Sequence, residues 1–387
     1  MSARITLPVS GGGVETLTLR EPAGWQRPAA PPTSRIAYAA AHVVADPRAD
    51  NAPGEPARLD WDATLAVRHD LWSWGLGVAE AMDTAQRGMG LDWPATRELI
   101  RRSAAEAATC GGRIVAGAAT DQLTGVADTL DDVVAAYAEQ VAFVQECGAV
   151  AVVMASRQLA ALATGPDDYR RVYEQVLGAS GAPVVLHWLG DMFDPALAGY
   201  WGSTDLDDAT KTFAALVHAH ADVVDGVKVS LLDADREVRL RELLPPSVKV
   251  YTGDDYHYPE LIAGDGARSS HALLGAFAAI APAASAALQR LDAGDPAGFR
   301  AILDPTVPLS RHVFAPPTRY YKTGIAFLAW LNGRQPGFTM VGGLHGGRSV
   351  PHLVEAFRLA DAAGLLLDPE LAAARMRAYL AVAGVTG

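Results

Sequence analysis

Hydrophobic residues occur along this chain in short unbroken runs, separated by longer stretches in which they recur every three or four positions. Seven runs read as strands buried on both faces: Arg35–Val44, Gly75–Met82, Arg113–Ala118, Ala149–Met154, Pro183–Trp188, Val223–Val229 and Val248–Tyr251. Between them, helical spacing predicts a helix over Trp93–Thr109, opened by Pro94, and another over Thr129–Cys147, stopped by Gly148. Asp168–Leu177 and Asp207–Ala219 repeat the pattern. Buried strands alternating with helices make parallel βαβ units. Units recurring at roughly 30–40 residues predict a (β/α)8 TIM barrel. The eighth strand is expected near Gly264–Ser270. No G-x-G-x-x-G follows an early strand, which leaves an open dinucleotide-binding sheet with little support.

The two ends break the rhythm. Ile5–Leu19 alternates and is interrupted by Gly11-Gly12-Gly13, which predicts an N-terminal β-hairpin or arm, covering the barrel base or reaching a neighbouring subunit. A linker rich in proline follows (Pro22, Pro28, Pro31, Pro32). From residue 271 the chain is rich in Ala and Leu and reads as helix, with Ala272–Gln289 as one packed helix. The glycine-rich break Gly342–Gly347, which carries His345, reads as a connection between helices or a lid over the mouth. The expected organisation is an arm over 1–34, a barrel over 35–270 and a C-terminal helical extension over 271–387.

Composition narrows the class. Half of the 387 residues are hydrophobic, ample for a large core. Lys plus Arg is 32 against 44 Asp plus Glu, a net charge of −12 without a basic run, which argues against nucleic acid as a partner. Cys110 and Cys147 form neither a disulfide framework nor a zinc pattern. The chain does not open on a basic-then-apolar leader, and Ala272–Gln289, mostly alanine and interrupted by Pro282, falls short of the about 20 strongly apolar residues of a membrane span. A soluble, cytoplasmic protein is expected, and its acidic surface is compatible with self-association.

In such a barrel the reactive groups sit at the C-terminal strand ends. The sixth run reads Val223-Val224-Asp225-Gly226-Val227-Lys228-Val229-Ser230. Burial disfavours the charged form of Lys228, and a neutral amine attacks carbonyl carbon to form a Schiff base. A structural lysine paired with a carboxylate such as Asp254 is the alternative. The fifth run ends at His187-Trp188. The histidine can shuttle protons or be a hydrogen-bonded core residue, and the indole can stack on a sugar face. Gly253, Asp254 and Asp255 follow the seventh run, either lining a pocket or capping a helix. Asp83 and Thr84 after the second run can bind substrate hydroxyls or shape a turn. Arg157 after the fourth can hold an anion or be solvated. Lys322 reads as structural. Arg113 and Lys249 fall at strand starts, on the opposite face.

Gly226-Val227-Lys228, then Tyr251-Thr252-Gly253-Asp254-Asp255 and Ala263-Gly264-Asp265-Gly266, resembles the dihydrodipicolinate synthase / N-acetylneuraminate lyase superfamily. Gly77–Gln86 with Leu91-Asp92-Trp93 is similar to that family's Gly-Thr-Thr-Gly-Glu turn and following helix. Cys147–Met154 resembles its fourth strand, Tyr320–Leu331 a late helix and Arg348-Ser349-Val350-Pro351 its Arg-Pro-Pro ending. The likeness runs over about 35–355 and looks like a divergent, uncharacterised branch. It implies a barrel fold, Lys228 as the Schiff-base lysine, and dimers or tetramers. Here His187 stands where the family has a proton-relaying tyrosine, and Trp188 where it has asparagine. Gly190-Asp191-Met192-Phe193 lacks its carboxylate-binding arginine, Asp83-Thr84 replaces its Thr-Thr pair, and Arg157 or Gln158 replaces its strand-four aromatic.

The first reading is therefore a class I aldolase-type lyase or dehydratase without a cofactor. Lys228 attacks a small carbonyl substrate, keto acid or keto-sugar-like, and His187 moves protons. Asp83, Asp191, Asp194 and Asp254 favour an uncharged polyhydroxylated substrate, unless Arg157 or Arg87 supplies positive charge. The second is a metal-dependent isomerase or hydrolase using His187, Asp191, Asp254 and His257. The third is a non-catalytic sugar-binding barrel.

Overall fold

The computed structural model describes residues 3–9, 11–123 and 125–385. An antiparallel hairpin, β1 (Arg4–Pro8) and β2 (Val14–Thr18), precedes eight parallel strands. These are β3 (Ala37–Ala40), β4 (Gly77–Glu80), β5 (Ile114–Ala118), β6 (Val150–Val153), β7 (Val184–Leu189), β8 (Val224–Ser230), β9 (Lys249–Thr252) and β10 (His271–Leu274). They close in chain order, β10 pairing both β9 and β3, with helices between them: a (β/α)8 barrel. Each helix forms where spacing and caps agree. The helix Trp93–Cys110, for example, is capped by the Asp92 carboxylate on the Ala95 amide and ends at Gly111 in the left-handed region.

Strand alternation sorts side chains between two cores. Tyr38, Ala79, Val115, Val152, Val185, Tyr251 and Leu273 point inward and fill the barrel. Their strand neighbours point outward and pack on the helices.

Two expectations are corrected here. The eighth strand is His271–Leu274, not Gly264–Ser270. Gly264 and Gly266 have positive φ, Asp265 accepts the Ala267 and Arg268 amides, and Ser270 hydrogen-bonds Glu237 and Arg241. That segment is a polar turn, and pairing starts only where apolar residues resume. For the same reason Ala272–Gln289 is not one helix: its first three residues complete the barrel, and the helix runs Ala276–Asp292 with a distortion at Ile280 just before Pro282.

The hairpin buries Ile5 and Leu7 in the core shared with the C-terminal helices, and Arg358 and Arg377 bond Pro8 and Arg4 carbonyls. It clasps the C-terminal helices rather than the barrel base. The Pro28–Pro32 segment does reach the base, against Gly75. No helix among the described residues is long and apolar enough to cross a membrane.

Candidate active site

Lys228 and His187 are register partners on β8 and β7 and share the inward row near the mouth. Lys228 is 7% exposed. Burial lowers its pKa from the ordinary 10.5, against the opposing pull of Asp83 and then Asp255. No carboxylate comes within ion-pair distance of its amine among the described residues, and Asp254 is not its partner. The amine faces a cavity of about 10 Å³, room for one water molecule, walled in part by Asp83, Thr84, Ser230, Asp255 and Tyr321. Gly253 belongs to this wall, and a Cβ there would collide with Ser230 Oγ and come within 2.9 Å of Lys228 Cε.

His187 is fully buried and does not line that cavity. A ring nitrogen, Nε2, lies 3.1 Å from Ser230 Oγ, which does line it, and Nδ1 has no partner among the described residues. Burial, reinforced by Lys228, drives the imidazole pKa well below 6.5 and keeps the ring neutral.

Asp83 and Thr84 lie on a tight turn, Asp83–Ala85, bracketed by Ala81 and Gln86 at φ 51° and 65°. Left-handed backbone at two non-glycine residues costs free energy and must be held in place. Glu80 does so: its Oε1 accepts the Ala81 amide at 2.8 Å while Arg68 grips both its oxygens at 2.8 Å in a fully buried ion pair. The turn then presents Thr84 Oγ1 to Tyr321 Oη at 2.7 Å.

Asp255 lies in the cavity wall. Burial raises its carboxyl pKa from 3.8 to about 8, against stabilising contributions from the Ala276 amide and then Lys228. Asp254 does not line that cavity: its carboxylate accepts the Tyr256 and His257 amides and pairs with His257 Nδ1, closing the turn before the helix Tyr258–Ala263 rather than capping it. Trp188 is a correction of the same kind. Adjacent strand residues face opposite ways, so with His187 inward its indole packs outward on Phe213 and Trp201 and lies outside the mouth.

Beyond the inner cavity opens a pocket of about 310 Å³, bounded by Asp83, Arg87, Asp121, Arg157, Leu189 and Asp194. Arg157 pairs with Asp194, and buried Arg87 with Asp121 and Gln140. The metal reading fares worse. Asp191 lies in a separate pocket beside Met192 and Tyr200, and among the described residues no group of three His, Cys, Asp or Glu could hold an ion. The loop Val341–Gly347 is moored by Gln86 to the Val341 carbonyl and by Thr323 to the Leu344 carbonyl.

Sequence reading missed Ser230 and Tyr321 and took Lys322 as structural. Ser230 had a signal, since it stands two positions after Lys228 and so on the same strand face. Tyr321 and Lys322 come from the helix Tyr321–Leu331, and their only signal was polar groups opening a wholly apolar helix.

Comparisons agree with this architecture. A family model described as "Protein of unknown function (DUF993)" matches residues 5–385. No curated protein matches the sequence. Among solved structures, the chain is similar to YagE, a prophage protein of the dihydrodipicolinic acid synthase family from E. coli K12 solved in complex with pyruvate. The TM-score is 0.66 and the identity 16%, over 86% of this chain and 99% of that one. It is similar to dihydrodipicolinate synthase from Oceanobacillus iheyensis, with TM-score 0.63 and 15% identity over 85% and 96% of the two chains. It is also similar to the 4-hydroxy-tetrahydrodipicolinate synthase of Methylacidiphilum fumariolicum SolV, with 0.64 and 14% over 89% and 98%. The resemblance noted in the sequence thus holds for the fold.

Proposed function

The chain belongs to the DUF993 family of proteins of unknown function, and we propose that it is a class I lyase whose Lys228 amine forms a Schiff base with a small carbonyl substrate. The observation that carries this reading is a lysine buried at the C-terminal mouth of the barrel, without an ion-pair partner among the described residues and lining a cavity, where burial lowers its pKa. The dihydrodipicolinate synthase fold supports it as an analogy.

In this reading the amine attacks the carbonyl carbon, and the carbinolamine loses its hydroxyl as water. Protons for these steps come from the hydroxyls in the wall. Tyr321, whose pKa burial and then Asp83 raise well above 10, is a proton donor next to Thr84. Ser230 connects the cavity to His187. The rest of the substrate extends into the outer pocket past Asp83. Arg157 and Arg87 there are already neutralised by Asp194 and Asp121, which favours an uncharged hydroxylated compound over an anion. A dimer or tetramer, which the family resemblance implies, belongs to the same reading and is measured by light scattering.

The test is borohydride reduction of the protein in the presence of candidate ketones and aldehydes. The expected result is a mass increase located on Lys228 and absent from Lys228→Ala. Turnover of a substrate by folded Lys228→Ala at the wild-type rate would falsify the Schiff-base reading.

A further inference from the structure

Four carboxylates line the inner cavity or the outer pocket among the described residues: Asp83, Asp121, Asp194 and Asp255. Asp121 is bound by Arg87 and Gln140, Asp194 by Arg157 and the Ala196 amide, and Asp255 by the Ala276 amide. No described residue hydrogen-bonds the carboxylate of Asp83, although it is half-buried. It is also the one ionisable residue in the walls of both spaces, which share only Asp83 and Leu189.

Two buried lysines lie near it. Lys228 lies on the inner side. Lys322, 2% exposed, is the second, and its only hydrogen-bond acceptor among the described residues is the Met89 sulfur at 3.2 Å. For each lysine, Asp83 is the strongest attracting carboxylate. A thioether and the Tyr321 ring, 5.4 Å away, compensate a buried ammonium poorly, so Lys322 is not explained by stability. The Arg68–Glu80 pair fixes the turn that carries Asp83, and its free carboxylate is thereby held at the junction of the two spaces.

We propose that Asp83 is the catalytic base for carbon–carbon cleavage, with Lys322 as the positioning residue that holds its charge there. The proposal rests on the Lys228 Schiff base and assigns the substrate class as an uncharged β-hydroxy ketone. With the iminium formed on Lys228, the β-hydroxyl lies toward the outer pocket, beside Asp83. The carboxylate takes the hydroxyl proton, and the O–H electron pair becomes the new C=O bond. The Cα–Cβ bond breaks, and its pair forms the enamine, neutralising the iminium. The aldehyde leaves through the outer pocket. Asp83 returns its proton to the enamine carbon, and water hydrolyses the imine, restoring the amine.

Two probes on the full chain separate this from the reading beneath it. Pentane-2,4-dione forms an absorbing enaminone with a reactive neutral lysine and requires no base at Asp83. 4-Hydroxy-4-phenylbutan-2-one and diacetone alcohol release benzaldehyde and acetone only on cleavage. The wild type is expected to give both signals. Asp83→Asn is expected to form the enaminone at least as fast, because the amine loses a charge that favours ammonium, while cleavage falls about 10²- to 10⁴-fold. Lys322→Met is expected to lower kcat about tenfold at unchanged KM, with enaminone formation retained and activity partly rescued by Lys322→Arg. Asp83→Asn cleaving at the wild-type rate overturns the assignment, and so does a wild type that forms the enaminone but cleaves neither ketone. A wild type that forms no enaminone removes the Schiff base, and this proposal with it.

Discussion

The two ends of the barrel carry lysines on adjacent strands and treat them differently. At the base, Lys249 of β9 is ion-paired with Asp225, and Tyr251 bonds the same carboxylate at 3.3 Å. At the mouth, Lys228 of β8 has a glycine beside its Cε, two carboxylates that attract it without ion-pair contact, and a cavity. A charge that is satisfied serves stability. One left unsatisfied costs stability and is available for chemistry. The same contrast separates Arg68–Glu80, sealed behind the Asp83 turn, from Asp83 itself.

This contrast can be broken by substitution. The largest effect is expected at Lys228→Met: loss of all Schiff-base trapping, together with a gain in unfolding free energy of about 1 kcal/mol or more, because the desolvation cost disappears. A loss of stability in urea titration would contradict the contrast. Next comes Arg68→Met, which strands the buried Glu80 carboxylate and is expected to cost about 3–5 kcal/mol in the same titration. Gly253→Ala drives a methyl into Ser230 and Lys228 and is expected to cost about 1–3 kcal/mol while slowing enaminone formation. Asp255 gives a pH signature. Its pKa is raised from 3.8 to about 8, so its contribution to stability is fully present below pH 3.8 and is lost as the pH rises through about 8. Asp255→Asn should flatten the stability curve across that window, and an unchanged curve would show that the carboxyl is not held protonated. The smallest effect is expected at Lys249→Met and Arg157→Ala. Both pairs are partly exposed, and each variant is expected to lose at most about 1 kcal/mol.

Much of the site was legible because strand parity is legible. Lys228 in an apolar run, and His187 on the neighbouring strand, could be placed near the mouth from spacing alone. Parity also held an unused constraint. His187 and Trp188 are adjacent, and adjacent residues on a strand face opposite ways. Only one of the two could point into the barrel, and local sequence did not say which. The eighth strand was displaced because the Gly264–Ser270 turn and the His271–Leu274 strand are both short and uncharged at their junction, and only pairing with β3 separates them.

The sequence by itself determined the barrel and the lysine within it, since the alternation of buried strands and amphipathic helices is a local property of the chain. The tertiary structure decided which groups meet that lysine. Tyr321 and Lys322 lie more than 90 residues downstream of it, and Arg68 reaches Glu80 only once a helix has packed on its strand. Such meetings depend on chain closure and side-chain direction, which no periodicity in the sequence encodes.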